Sequence, residues 1–561
     1  MESASINKVI GWNLYLGAPL VTLFLLISNV TDPVNVTKQF VAVGIGMSLA
    51  FLLFVFKRKA LWTENKKSTI AVLLFSLASL NATILSKSPF NQNFYGTYGR
   101  NTGFLAYFAL CAFLLAATTV RESKVFTRVI YGFMITGFIN LFYCTWVLLF
   151  GDFVGWNNPY GTILGTLGNP DFISAFFGIF FSVLISFAAK QNLKWHHRLA
   201  ILSLALLTLF EIKKSHAIQG LVVAAGGIAI VGFYLVKFKY NSKVISGLYS
   251  LCVSALGFVA VLGTFQKGPF DFVYKRSVSF RGTYWRTGIS MGADNPFSGV
   301  GMDSYGDWYR RFRPLVALRD TPGPQTVSNV AHNVYVDMFA FGGFPLLIAH
   351  LSLVVLTIVA IFRITNRSER FDWVFVASTA GWVTFQVQSI ISINQIGLAV
   401  WGWVFSGILI AMSRVDHESE PESVRHQKRP TVNDQILTPG LAAGVGIVVG
   451  LLVSVPPLNA DIKWRTAIQS RNLAVAESAL IPSYMNPRDS YRLADAINTM
   501  MASNLNEQAL KYCRIAVRYN PNYFSTWRML YLLPNSSKIE KETALQNMHR
   551  LDPLNKDVVN D

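Results

Sequence analysis

An all-α, multi-pass membrane protein is the fold this sequence predicts, on three observations. Only 14% of its 561 residues are charged, whereas 52% are hydrophobic; soluble domains carry about 25% charged residues. The mean hydropathy is +0.39. The apolar residues also fall in runs of about 20, the length a helix needs to cross the hydrocarbon core.

Taken in order, the apolar runs lie near 9–28, 40–56, 69–86, 103–119, 127–150, 170–189, 198–212, 216–236, 244–264, 334–362, 371–390, 395–413 and 440–458. That gives about 12 or 13 spans, the run at 198–212 being short. The first run is long enough to span and many others follow, so no cleavable signal is expected. The four cysteines offer no CxxC site and no disulfide framework. The net charge of +19 reads as basic cytoplasmic loops, and no nucleic-acid partner is expected.

Orientation follows from the short loops. With the N-terminus inside, the inner segments carry 22 Lys and Arg and the short outer ones carry 5. Thirteen spans then leave the C-terminus outside. Four segments result: N-terminal transmembrane helices over 1–264, an extracytoplasmic loop over 265–333, C-terminal transmembrane helices over 334–458, and an extracytoplasmic tail over 459–561. A charged, solvated cytoplasmic linker at 414–438 interrupts the third, and its His417 and His426 are too exposed and unpartnered to suggest a metal site.

In the tail, E-Q-A-L-K-Y-C-R-I-A-V-R-Y-N-P-N from Glu507 and E-T-A-L-Q-N-M-H-R-L-D-P-L-N from Glu542 look alike, with Pro521 and Pro553 spaced 32 residues apart. That is close to the tetratricopeptide period of 34. Two or three such helix pairs, or an ordinary small helical domain, would both fit.

Outer cations break the charge rule, so each asks for a cause. They include Arg100, Lys213 and Lys214. The long loop adds nine, among them Arg281, Arg286, Arg310 and Arg313, against five acidic residues. Arginine forks match phosphate oxygens two at a time, so a basic rim suits an anionic ligand; ordinary loop charge or contact with lipid headgroups is the plainer alternative. Of eight histidines only His216 and His332 fall at the outer face of the membrane domain. A neutral imidazole near its ordinary pKa takes a proton from an attacking hydroxyl. His332 stands before Asn333 at the start of a helix, where a neutral ring is favoured. The glycines at 299, 301, 306, 342 and 343 permit tight turns and close backbone approach. G-V-G is no nucleotide fingerprint without a βαβ unit around it, and there is no Walker motif. With no DxD pair or ligand cluster at metal spacing, the expected chemistry uses no metal, nucleotide or other cofactor.

These residues carry a resemblance. Arg281-x-x-x-Trp285, Asn295–Pro296–Phe297-x-Gly299–Val300–Gly301, and His332–Asn333 leading into Gly342–Gly343 resemble the O-antigen ligase and polymerase superfamily. That group spans WaaL-like ligases, Wzy-like polymerases and bacterial O-oligosaccharyltransferases, and some members carry a tetratricopeptide-like tail. The likeness runs over roughly 9–413 and is sharpest across 280–344. It implies glycosyl transfer from a polyprenyl-pyrophosphate-linked glycan to a glycan, lipid or protein acceptor, at the outer face of the cytoplasmic membrane, in surface polysaccharide assembly. It further implies His332 as the base, Arg281 on the pyrophosphate and Arg100 as a second arginine, with Arg286 in the same group. Where the family has Arg or Gln before Gly, this chain reads Ser215–His216–Ala217–Ile218–Gln219–Gly220, which leaves the charge to Lys213 or Lys214. Two other classes fit less well. A flippase for lipid-linked saccharides would gather its ionisable groups nearer the midplane. A membrane-anchored scaffold would leave 265–333 unexplained.

Overall fold

The computed structural model describes residues 2–156, 158–263, 266–269, 276–319, 323–414 and 434–559. The linker histidines, Asp271, Lys275 and Asp320 lie outside the described residues. Among the described residues there is no strand, only an isolated bridge between Ser483 and Asn486. The fold is all-α and polytopic.

The first apolar run is two helices, α1 (Glu2–Tyr15) and α2 (Gly17–Leu23). A helix ending in an apolar interior leaves carbonyls that need donors. Lys38 supplies them: its buried ammonium donates to the carbonyls of Val21, Thr22 and Phe24. This lysine therefore belongs to the inside of the bundle and not to an outer loop. It sits in the first turn of α3 (Asn35–Phe56), which is followed by α4 (Arg58–Thr63), α5 (Lys66–Leu85), α6 (Phe90–Tyr95), α7 (Phe104–Thr118) and α8 (Ser123–Phe150).

After a short 3₁₀ turn come α9 (Pro170–Ala188), α10 (Trp195–Lys214), α11 (Gln219–Tyr240) and α12 (Lys243–Gly263). The interval read as a loop holds three helices, α13 (Arg276–Asp294), α14 (Tyr305–Phe312) and α15 (Val316–Arg319). The membrane domain closes with α16 (Val334–Arg367), α17 (Trp373–Ile391), α18 (Ile396–Met412) and α19 (Asp434–Ser470).

Nine helices among the described residues are long and apolar enough to span a bilayer. Two more, α7 and α18, are apolar but shorter. The remaining expected spans are the broken α1–α2 pair and α10, whose length suffices and whose hydropathy does not. Small residues set the closest packing, as expected where lipid offers no hydrophobic drive. Gly446 and Gly450 of α19 press on Met47–Ser48 and Val43–Gly44 of α3, where any Cβ would collide.

α19 continues past residue 459 to Ser470, so the last span and the start of the tail are one helix. The tail then folds as α20 (Leu473–Leu480), α21 (Ser490–Ala502), α22 (Asn506–Tyr519), α23 (Phe524–Leu532) and α24 (Lys538–Leu551) around its own apolar core. It docks on the loop helices. Arg310 and Arg313 of the α14 segment both donate to Asp552, which is fully buried. Arg310 lies 4.3 Å over the Phe524 ring. Asn520 donates to Asp307 at 2.8 Å, and Tyr98 stacks on Tyr491 at 4.7 Å.

Candidate active site

The site is built on a break in α16. Pro345 has no N–H to give Phe341, and Phe344 turns its N–H to the Pro296 carbonyl at 2.8 Å instead of to Ala340. The freed carbonyls of Ala340 and Phe341 accept the N–H groups of Val300 and Gly301 at 2.9 and 3.1 Å. The N-P-F-S-G-V-G stretch is thus a backbone splint across a helix break. Gly299 and Gly343 sit at φ +61° and +63°, and a Cβ on either would run into the opposing backbone.

Upstream of the break, Asn333 caps α16 by accepting from the N–H groups of Tyr335 and Val336. Ala331 N–H donates to Asp337 at 2.7 Å. His332 is held between these two anchors at φ +55°, a left-handed backbone. Its ring stacks on Tyr284 of α13, 5.7 Å between centroids. Tyr284 is fixed in turn: its carbonyl accepts from Tyr305 at 2.6 Å, and its ring meets Tyr309 edge-on. Among the described residues the His332 imidazole makes no hydrogen bond. Burial, then the charges of Arg281 and Arg100, hold its pKa down to about 3.

Arg281 lies one turn before Tyr284 on α13. Burial lowers its pKa, while Asp171 at the start of α9 supports its charge. Arg100 reaches in from the α6–α7 connector. Its Nε pairs with Asp303 at 3.1 Å, and that buried carboxylate also accepts the N–H groups of Thr97 and Thr102. Gln92 and Asn93 of α6 hold Ser304 and Asp307 at the start of α14.

The structure therefore brings His332, Arg281 and Arg100 together. It does not bring in the other cations. Arg286 is exposed, and five residues along α13 from Arg281 turns it about 140° away. Lys213 and Lys214 are exposed at the end of α10, which packs on α8, α9 and α11, whereas α13 packs on α14 and α16. Arg310 and Arg313 are taken up by the tail. Sequence reasoning missed Asp171, Asp303 and Asp337; Asp303 lies 203 residues from Arg100 and leaves no spacing to read. Gln219, quoted in the sequence only as part of a motif, is buried with both amide atoms unpartnered among the described residues.

Fold and site together define a multi-pass helical membrane protein with a half-buried imidazole within the electrostatic reach of two arginines. Residues 199–351 match the family model Wzy_C, O-antigen ligase. The match runs from α10 through the first half of α16 and contains Arg281, His332 and the splint. This stretch, under a third of the chain, is thus similar to the O-antigen ligase family. No curated protein matches the chain.

Proposed function

We propose that this protein transfers a glycan from a polyprenyl-pyrophosphate donor to an acceptor hydroxyl at the outer face of the cytoplasmic membrane. The observation that carries the reading is the neutral, hydrogen-bond-free imidazole of His332 beside Arg281 and Arg100. In the proposed step the acceptor O–H gives its proton to His332. The oxygen attacks the anomeric carbon, and the bond from that carbon to the pyrophosphate breaks with its electron pair. Charge grows on the bridging oxygen, where Arg281 meets it. Arg100 keeps its Nη groups directed to the same anion while Asp303 holds its Nε. Direct attack inverts the anomeric centre. Pyrophosphate is already a good leaving group, so the protein's share is positioning, proton removal and charge stabilisation. The tail, read as tetratricopeptide-like, would serve by bracing α14 against the back of Tyr284.

The test uses purified full-length protein with polyprenyl-pyrophosphate glycan, following released carrier pyrophosphate and the new glycan linkage. Release that disappears in His332→Ala, with normal folding, supports the reading, and the linkage names the acceptor. Tight lipid binding without release, whatever acceptor is supplied, would instead favour a transporter.

A further inference from the structure

A cavity of about 370 Å³ lies between the membrane domain and the tail, away from His332. That volume is within the range of small-ligand sites. Asn91 and Tyr95 of α6 form one wall. Ser483, Tyr484, Arg488 and Tyr519 of the tail form the other.

The walls are pre-formed. Ser483 and Asn486 exchange backbone hydrogen bonds, and Asn486 donates to the carbonyls of Ala479 and Ile481. Tyr484 hydroxyl donates to the Leu452 carbonyl of α19 at 3.0 Å, and Tyr519 hydroxyl to the Arg488 carbonyl at 2.7 Å.

Among the described residues, Arg488 is the one charged side chain lining the cavity. Its Nε is buried without a partner among the described residues, and its guanidinium rests 5.8 Å from the Tyr519 ring. The nearby Arg492 is committed elsewhere, to Asn486 and the Pro487 carbonyl. An arginine with an unpartnered Nε can take an anion. Three tyrosine rings offer flat apolar faces with polar rims. An amide and a hydroxyl add donors and acceptors for hydroxyl groups. Stacking faces, hydroxyl partners and a single cation are together the recognition set of an acidic sugar. A narrower cleft shares Asn91, Tyr95 and Arg488 and runs in to Asn101, the neighbour of Arg100.

We infer that this cavity is a second binding site, which holds a carboxylate-bearing saccharide between α6 and the tail with its acid group on Arg488. A glycan held there is gripped away from its reacting end. The inference rests on the cavity and not on the chemistry at His332, so binding is measured without turnover.

Full-length protein in detergent is titrated with tetragalacturonate and with neutral maltotetraose. The expected result is binding of the acidic tetrasaccharide, weakened at least tenfold by Arg488→Ala and by Tyr484→Ala, with maltotetraose at least tenfold weaker on wild type. Unchanged thermal midpoints show that the variants are folded, and Arg488→Lys retains part of the affinity. Saturation transfer from tyrosine ring protons to sugar protons locates the ligand independently of the variants. No binding at millimolar concentration, equal binding of the neutral sugar, or indifference to Arg488 would overturn the inference. Displacement by phosphatidylglycerol micelles at equal concentration would overturn it in favour of a lipid-headgroup site.

Discussion

Replacing Asp552 by alanine should release the tail from the loop helices. Asp552 is fully buried and accepts from Nη1 of Arg310 at 3.1 Å and from Nε of Arg313 at 3.2 Å, with a further contact from Arg313 Nη2. The Arg313 side chain is 0% exposed and that of Arg310 is 11% exposed, so neither charge regains water while the tail stays docked. Removing one partner of a buried pair costs about 3–5 kcal/mol, because the other charge is left uncompensated. At about 1.4 kcal/mol per decade this shifts the undocking equilibrium by roughly 10²–10⁴. Other contacts of the tail, among them Asn520 on Asp307, Asn522 on the Lys87 carbonyl and Tyr98 on Tyr491, each contribute about 1 kcal/mol. Hydrogen exchange on the full-length protein checks this. Amides of α14 and α24 should lose protection together in Asp552→Ala, with the loss in α5 and α7 far smaller. Asp552→Asn, which keeps an acceptor oxygen and loses the charge, should fall between. Protection in α14 and α24 within about 1 kcal/mol of wild type would refute the argument that the pair holds the tail.

Other expectations follow from the same geometry. With the His332 pKa held to about 3, the ring is neutral above that pH, so kcat/KM should show no acid limb from this group near pH 6.5; a limb near 6.5 that vanishes in His332→Gln would contradict the burial argument. Arg281→Gln should cost on the order of 10²–10³ in kcat if the guanidinium stabilises charge in the transition state, and should raise the His332 pKa in the empty site, as read by histidine NMR. Gly343→Ala places a Cβ against the Pro296 carbonyl at φ +63° and should cost about 1–3 kcal/mol from backbone strain alone. Thermal unfolding of the purified variant measures that loss, and an unchanged midpoint would mean the splint yields freely.

What could be read in advance was what repeats or stands next to its cause. Long apolar runs mark α3, α5, α8, α9, α11, α12, α16 and α17 because a bilayer fixes the length of whatever crosses it. His332 was legible because Asn333 beside it is a helix cap and the run after it is apolar. The break in α16 was not foreseen, the run 334–362 having been read as one span, although Gly342, Gly343 and Pro345 are the residues that make it. Nothing local says that Val300 and Gly301 supply the two N–H groups that the break needs. The place of Lys38 inside the bundle has no sequence signal, because its partners are carbonyls, which every residue has. Arg310 and Arg313 were read as ligand-binding because Asp552 lies 239 residues beyond Arg313 and nothing connects them in sequence.

Cations of the outer segments thus separate by cause: Arg310 and Arg313 fasten the tail, and Arg281 and Arg100 act on the imidazole. The last pair raises a difficulty for the proposed chemistry, because two positive charges weaken the base beside them. The difficulty resolves when the donor is counted. In the proposed reading, pyrophosphate would bring negative charge to the same two arginines and offset the repulsion they add to the effect of burial on His332. On that reading the base is weak and neutral in the empty site and would be strengthened in the loaded one. The proposed arrangement would couple base strength to occupancy, so that a site without its donor does little to activate stray hydroxyls. That coupling needs the imidazole and the arginines to be mutually fixed, which is what the Tyr284 stack, the Asp303 clamp and the splint across α16 provide.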